Sequence, residues 1–139
     1  MIEIRRAPID VDAVLNSVRR EDAGAIVVFL GTVRAEGDVR TLDYEVYAPM
    51  ARKTFADLVD RGKAKFGVLE MSIVHRVGRV PVRGDSVAVA CSAAHRAEAF
   101  AACAWAMDEI KRIVPIWKTE HAARNRRPAS QSTRRRGAA

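Results

Sequence analysis

The chain has 139 residues and a net charge of +7, with 49% hydrophobic and 29% charged residues. This composition is that of one globular domain, and no apolar run reaches the length of a transmembrane helix. Six arginines and one acid follow residue 118, so this part carries +5 and residues 1–118 carry only +2. The folded part is therefore not an obvious nucleic-acid binder.

The first residues, MIEIRRAPIDVD, lack the apolar core of a signal peptide. Cys91 and Cys103 have neither the spacing of a metal site nor that of a Cys-x-x-Cys pair. We therefore expect buried, reduced thiols and a cytoplasmic protein.

The first half of the chain predicts alternating strands and helices. IEIRRAPID opens with a short strand, after which Asp10 can cap a helix. The apolar run AIVVFLGTV (25–33) predicts a buried strand. In TLDYEVY (41–47) apolar and polar residues alternate, which predicts a strand with one face exposed to solvent. Pro49 suits the first turn of a second amphipathic helix.

The second half predicts two strands and the longest helix. VLEMSIVHRVGRV (68–80) reads as one strand, and SVAVACS (86–92) follows it after the turn PVRGD. The helix is predicted from about His95 to Val114, because Pro115 cannot continue it. Strands that return through short turns favour the α+β class over a doubly wound parallel sheet.

The residues after Pro115 predict a short extended segment, IWKTE, in which Trp117 buries its ring at the turn. From His121 onward few side chains can build a core. We therefore expect one domain over residues 1–120 and a basic, flexible tail over residues 121–139.

Lys111 lies in the apolar stripe of the longest predicted helix, one turn after Met107 and beside Val114. One interpretation is a lysine whose stem covers apolar surface while its ammonium group stays in water. The other is a lysine that lines a cleft, where desolvation favours the neutral amine as a base or nucleophile. The pattern alone leaves both open.

Lys118 follows the turn at Pro115, so it can project near the last turns of the same helix. Two neighbouring ammonium groups would attract an anion together, and the alternative is a surface lysine beside an aromatic residue. His95 and Arg96 begin the helix, where free N–H groups already favour anions and a cation is unfavourable for the helix itself. An exposed pair on a first turn is the alternative there.

Arg34 ends the strand AIVVFLGTV, at a strand-to-loop position where binding residues are common. Together with the two lysines and the pair at the helix start, it indicates a site for a phosphate-bearing anion with lysines placed for acid–base work.

Five stretches of the chain resemble the large, catalytic subunit family of molybdopterin synthase. They are FLGTVR (29–34), YEVYAPMA (44–51), VHRVGRVPVRGD (74–85), SAAHRAEAF (92–100) and MDEIKRIVPIWKTE (107–120). The likeness covers about residues 1–120 in the same order and with similar spacing. It departs at the C-terminus, where HAARNRRPASQSTRRRGAA shows neither the tryptophan nor the last strand that the family usually has.

The resemblance implies an α/β-hammerhead fold of the α+β class and a sulfurtransferase activity in molybdenum cofactor biosynthesis. The sulfur would come from a C-terminal Gly-Gly thiocarboxylate on a small ubiquitin-like subunit and pass to cyclic pyranopterin monophosphate, producing the dithiolene of molybdopterin. Two large subunits would form a homodimer at the centre of a heterotetramer. No metal or organic cofactor is implied for the transfer.

Carried over by position, the resemblance makes Lys111 the main acid–base group and Lys118 an assisting cation. It makes Arg34, His95 and Arg96 the residues that hold the substrate phosphate and neighbouring anionic groups. Two other readings remain: a non-catalytic paralogue that binds the small subunit, and a nucleic-acid-binding module that uses the arginine tail.

Overall fold

The computed structural model describes residues 1–122 and 134–136, and over these residues the chain is an α+β structure. The three helices are α1 (Val11–Ser17), α2 (Ala48–Phe66) and α3 (Arg96–Ile113). The strands are β1 (Ile2–Arg5), β2 (Ala25–Thr32), β3 (Val39–Val46), β4 (Glu70–Arg76), β5 (Gly78–Pro81), β6 (Asp85–Ala93), β7 (Ile116–Ala122) and β8 (Arg134–Arg136). None of these helices is long and apolar enough to cross a membrane.

The strands form two four-stranded sheets. The first has the order β1-β4-β6-β2, in which only the β1–β4 pair is parallel. The second has the order β5-β3-β7-β8 and is antiparallel throughout. Mostly antiparallel pairing with three helices confirms the predicted α+β class.

The first sheet is covered on both faces, and its central strand β6 shows why. Side chains alternate along a strand, so Val87, Val89 and Cys91 join the main core with α2 and α3. Ala88 and Ala90 point to the other face and pack with α1. The small residues on that side let the short helix approach the sheet closely.

Local sequence signals set the helix ends. The Asp10 carboxylate accepts a hydrogen bond of 3.1 Å from the Ala13 N–H, so it caps α1 as predicted. A proline occupies the first turn of α2, and Gly67, with φ of 69°, ends that helix in the left-handed conformation. At the end of α3 the chain leaves the helix at Val114, immediately before Pro115.

The run at residues 68–80 was wrongly predicted to be one strand. Gly78 has φ of 83°, and the chain changes sheets there: β4 lies in the first sheet and β5 in the second. The strand predicted at residues 25–33 is present, but the prediction that it is buried was wrong. β2 is an edge strand, and its Phe29 is 37% exposed.

Three predictions about the C-terminal part differ from the structure. Trp117 is 42% exposed, and it is its neighbour Ile116, 1% exposed, that anchors the turn in the core. The absence of a last strand was also wrongly predicted, because Arg134–Arg136 forms β8 and pairs with β7. The strand β7 itself runs to Ala122, beyond the predicted boundary at residue 120. The rest of the predicted flexible tail, residues 123–133 and 137–139, lies outside the described residues.

Candidate functional site

A cavity of about 450 Å³ opens between α3 and the edge strand β2. Its lining is mostly apolar and is formed by Val27, Val28, Phe29, Phe100, Cys103, Ala104, Met107, Asp108 and Lys111. Lys111 and Asp108 bring the charged groups, and both are exposed. Lys111 therefore combines the two interpretations of its position: it reaches solvent, and it lines a cleft.

Helical periodicity brings one half of this lining together. Successive α3 residues of the cavity are three positions or one position apart, in alternation, which keeps them on one face of the helix. The other half comes from three consecutive residues of β2, which α3 only partly covers because the strand is at the sheet edge.

Cys103 lies at the base of the cavity and is 3% exposed. Its Sγ donates a hydrogen bond of 3.5 Å to the Val89 carbonyl oxygen. A second hydrogen bond joins it to Cys91, which lowers the pKa of Cys103 and raises the pKa of Cys91. Both cysteines are free and buried, as predicted.

Lys118 lies in β7 of the second sheet, in register with Tyr44 of β3. Its ammonium nitrogen is 6.0 Å from the centroid of the Tyr44 ring, at the outer limit of a cation–π contact. Tyr44 is 1% exposed, and its burial raises its pKa. Lys118 is not among the residues that line the cavity beside Lys111.

Behind Lys118, the Tyr44 ring meets His75 edge-on, with 5.5 Å between the ring centroids. His75 is fully buried, and burial lowers its pKa to about 4. Its Nδ1 is 2.8 Å from the Arg76 carbonyl oxygen, so a neutral imidazole that donates from Nδ1 fits this position. Tyr44 of the second sheet and His75 of the first thus form a neutral aromatic pair behind Lys118.

The predicted anion-binding residues divide between the two ends of α3. His95 and Arg96 are exposed at its start, and the His95 side chain makes no capping hydrogen bond. Arg96 and Lys111 are fifteen residues apart on this helix, a separation of about 22 Å along its axis. One chain therefore does not bring His95 and Arg96 to the cavity end where Lys111 lies.

Arg34 lies at the same end of the molecule as Lys111. β2 runs antiparallel to β6, and the chain reverses between β6 and α3, so α3 and β2 run in the same direction. The last turns of α3 and the end of β2 therefore meet, and exposed Arg34 follows that strand end.

Phe29, Cys103 and Asp108 were not predicted from the sequence to be site residues. Cys103 had a usable signal, because it shares the helical stripe of Lys111. Phe29 had none, since an aromatic residue within an apolar run is compatible with any buried strand. Over residues 1–122 and 134–136, no group of His, Cys, Asp and Glu side chains is arranged to hold a metal ion.

Comparisons with known proteins identify relatives of this chain. The family model described as MoaE protein matches residues 4–113. The molybdopterin synthase catalytic subunit of Thermoplasma volcanium is 46% identical over 122 residues, which are 86% of this chain and 89% of that protein. That of Pyricularia oryzae is 41% identical over 115 residues, 81% of this chain and 63% of that protein.

Among solved structures, molybdopterin synthase from Staphylococcus aureus superposes with a TM-score of 0.86. The two chains are 36% identical, and the likeness covers 95% of each. The matched family region includes every residue of the α3–β2 cavity. Since the family model covers most of the sequence and the relatives are well above 30% identical, the chain belongs to the MoaE family.

Proposed function

We propose that the chain is the catalytic subunit of a molybdopterin synthase. It would transfer sulfur from the C-terminal thiocarboxylate of a small ubiquitin-like subunit to cyclic pyranopterin monophosphate. The observation that carries this proposal is Lys111 at the rim of a mostly apolar cavity between α3 and β2. The family membership supports the same reaction.

The cavity is suited to protect a reactive sulfur. Its apolar walls, Val27, Phe29 and Met107 among them, exclude water from the buried part. Lys111 supplies a proton donor or acceptor at the opening, and a fixed ammonium group there stabilises negative charge that develops on oxygen during transfer. Asp108, also in the lining, places a carboxylate at the same cavity.

The edge of β2 supports the docking of an extended peptide. Among the described residues this strand pairs only with β6, so its other edge is open beside the cavity. An extended C-terminal tail can add to such an edge through main-chain hydrogen bonds. Its glycine end would then enter the cavity next to Lys111.

Lys118 is assigned an assisting role as a second cation. The Tyr44 ring lies 6.0 Å from the ammonium nitrogen and helps to position this cation. The residue follows the end of α3 by only a few positions, so it supports the charge at the same end of the molecule.

The complete substrate site requires two chains. Arg34 and Lys111 lie at one end of α3, and His95 and Arg96 begin it about 22 Å away. We assign the phosphate and the neighbouring anionic groups of one substrate to Arg34 of one chain and to the helix start of a second chain. A homodimer at the centre of a heterotetramer, acting in the cytoplasm, satisfies this requirement.

The test is turnover of cyclic pyranopterin monophosphate by the purified full chain with a thiocarboxylated small subunit. Molybdopterin formation is measured together with conversion of the thiocarboxylate to carboxylate, followed by intact mass. Product from both assays is expected. Tight binding of the small subunit without product would support the non-catalytic paralogue instead, and no binding at all would contradict the proposal.

A further inference from the structure

Arg83 has an unusual backbone conformation. Its φ is 77°, and it is the one non-glycine residue with positive φ in the described part of the chain. For a residue with a Cβ atom this region is unfavourable, because the side chain crowds the following carbonyl group. Strain of this kind persists where the surroundings enforce it, and it is frequent at binding sites.

The surroundings of Arg83 form a bulge against the end of β2. The Arg83 N–H donates to the Val33 carbonyl oxygen at 2.7 Å, and the Val33 N–H donates to the Gly84 carbonyl oxygen at 2.9 Å. Arg83 and Gly84 therefore oppose the single residue Val33. This is the pattern of a G1 bulge, whose first position normally holds a glycine with positive φ.

The neighbouring glycine cannot take over that position. A Cβ atom on Gly84 would lie 2.8 Å from Cγ1 of Val80 and 2.9 Å from the carbonyl oxygen of Pro81. Gly84 is therefore required where it is, by close approach. The strained position next to it is left to an arginine, although a second glycine would fit it without strain.

The bulge brings the backbone of Arg83 next to Val33, the residue before Arg34. Paired residues in such a ladder have Cα atoms about 5.5 Å apart, and Arg34 directly follows Val33, the partner of Arg83. Both arginines are exposed. Neither guanidinium group has a hydrogen-bond or ion-pair partner among the described residues, although Glu36 and Asp85 belong to the same two loops.

We infer that Arg83 is a second phosphate-binding residue, which together with Arg34 clamps the phosphate of the substrate. Two guanidinium groups from adjacent loops can offer a phosphate several N–H donors at once, which a single arginine cannot do from one side. This inference rests on the proposed function for the identity of the substrate. The contribution of the two arginines to binding a phosphate group can be measured without turnover.

The experiment compares Arg83→Gly with the full wild-type chain, using Arg79→Ala as the control. Arg79 is an exposed arginine of the same hairpin, so the control loses the same charge from β5. We expect Arg83→Gly to raise Tm by about 3 °C, because it removes the strain at positive φ. We expect the same variant to raise KM for the phosphate-bearing substrate about tenfold, with little change in kcat.

Two further variants separate charge from backbone. Arg83→Lys keeps the charge and should retain most of the affinity, whereas Arg83→Asn tolerates positive φ without a charge and should behave like Arg83→Gly. Inorganic phosphate, titrated calorimetrically at low and high salt, tests binding without turnover. If wild type shows no turnover but binds phosphate more tightly than Arg83→Gly, the proposed function fails and the inference stands.

The inference is overturned if Arg83→Gly and Arg83→Asn keep wild-type affinity for both substrate and inorganic phosphate. It is equally overturned if Arg79→Ala weakens binding as much as they do, because the effect would then come from net charge alone.

Discussion

The two ends of α3 differ in whether the helix dipole favours the positively charged residues that lie there. At its end, Lys111 and Arg112 lie in the last turn, where the helix dipole favours cations, so a positive charge there needs no further explanation. At its start, Arg96 opposes the dipole and the His95 side chain makes no capping bond, whereas Glu98 in the same first turn favours the dipole. A ligand at the start is therefore a proposal, which rests on Arg96. At the other end, the proposal rests on the position of Lys111 in the cavity.

The largest expected effect tests that position. Lys111→Ala should lower turnover about 10³-fold, because it removes the acid–base group and the fixed cation at the cavity opening. Its Tm should change little, since the side chain is exposed. The assay is molybdopterin formation with excess thiocarboxylated small subunit.

Arg112→Ala is the matched control, because it removes the next charge of the same turn. Arg112 is paired with Glu109 at 2.6 Å on the surface, outside the cavity lining. It should keep turnover within about twofold of wild type. A loss as large as that of Lys111→Ala would show that the charge of the last turn matters and the cavity does not.

A smaller effect tests whether the two ends of α3 act on the same substrate across two chains. Lys111→Ala and Arg96→Ala should each be impaired as pure dimers. Unfolding and refolding them together would give mixed dimers, in which one site has both residues intact. Half of the dimers should be mixed, and each mixed dimer should have one intact site out of two. Turnover should therefore rise to about a quarter of wild type. Mixing without any gain would contradict the shared site.

The smallest effect concerns the core. The pKa of His75 is lowered to about 4, so between pH 6.5 and 4 the unfolded chain holds a proton there that the folded chain does not. The free energy of unfolding should be fully retained above pH 6.5 and fall by about 3 kcal/mol as the pH drops to 4. Urea denaturation at both ends of this interval measures the change.

His75→Gln removes the titrating group, so its stability should depend less on pH over the same interval. If the two chains lose stability in parallel, His75 is not the cause. An acid loss of activity at a pH where the wild-type chain remains folded would then be assigned to the site.

The sequence predicted local features well because their causes are local. Asp10 and Pro115 set helix boundaries through their own hydrogen bonds and ring geometry, and the stripe around Lys111 follows from the helix period. Strand neighbours depend on distant residues. AIVVFLGTV gave no sign that it would lie at a sheet edge, and nothing in Arg134–Arg136 predicts pairing with β7.

For the site, the division between the ends of α3 was already computable, since fifteen helical residues separate Arg96 from Lys111. The sequence-based prediction nevertheless grouped them in one site without using this separation. The conformation of Arg83 was not accessible in this way. In PVRGD the glycine is the residue for which positive φ would be predicted. Only the close approach of Val80 and Pro81 to Gly84 shows why Arg83 adopts positive φ instead.

The alternation of the two sheets along the chain has a consequence for folding. β1, β2, β4 and β6 build one sheet, while the strands between and after them build the other. Neither sheet is a contiguous segment, so neither can be excised as an independent unit. β1 pairs with β4 about seventy residues later, and β3 pairs with β7 across a similar separation in sequence. Each of these pairings must close a long loop, and the entropy lost in closing it is offset only after the contacts form. We therefore expect slow refolding, and we expect unfolding in a single cooperative step.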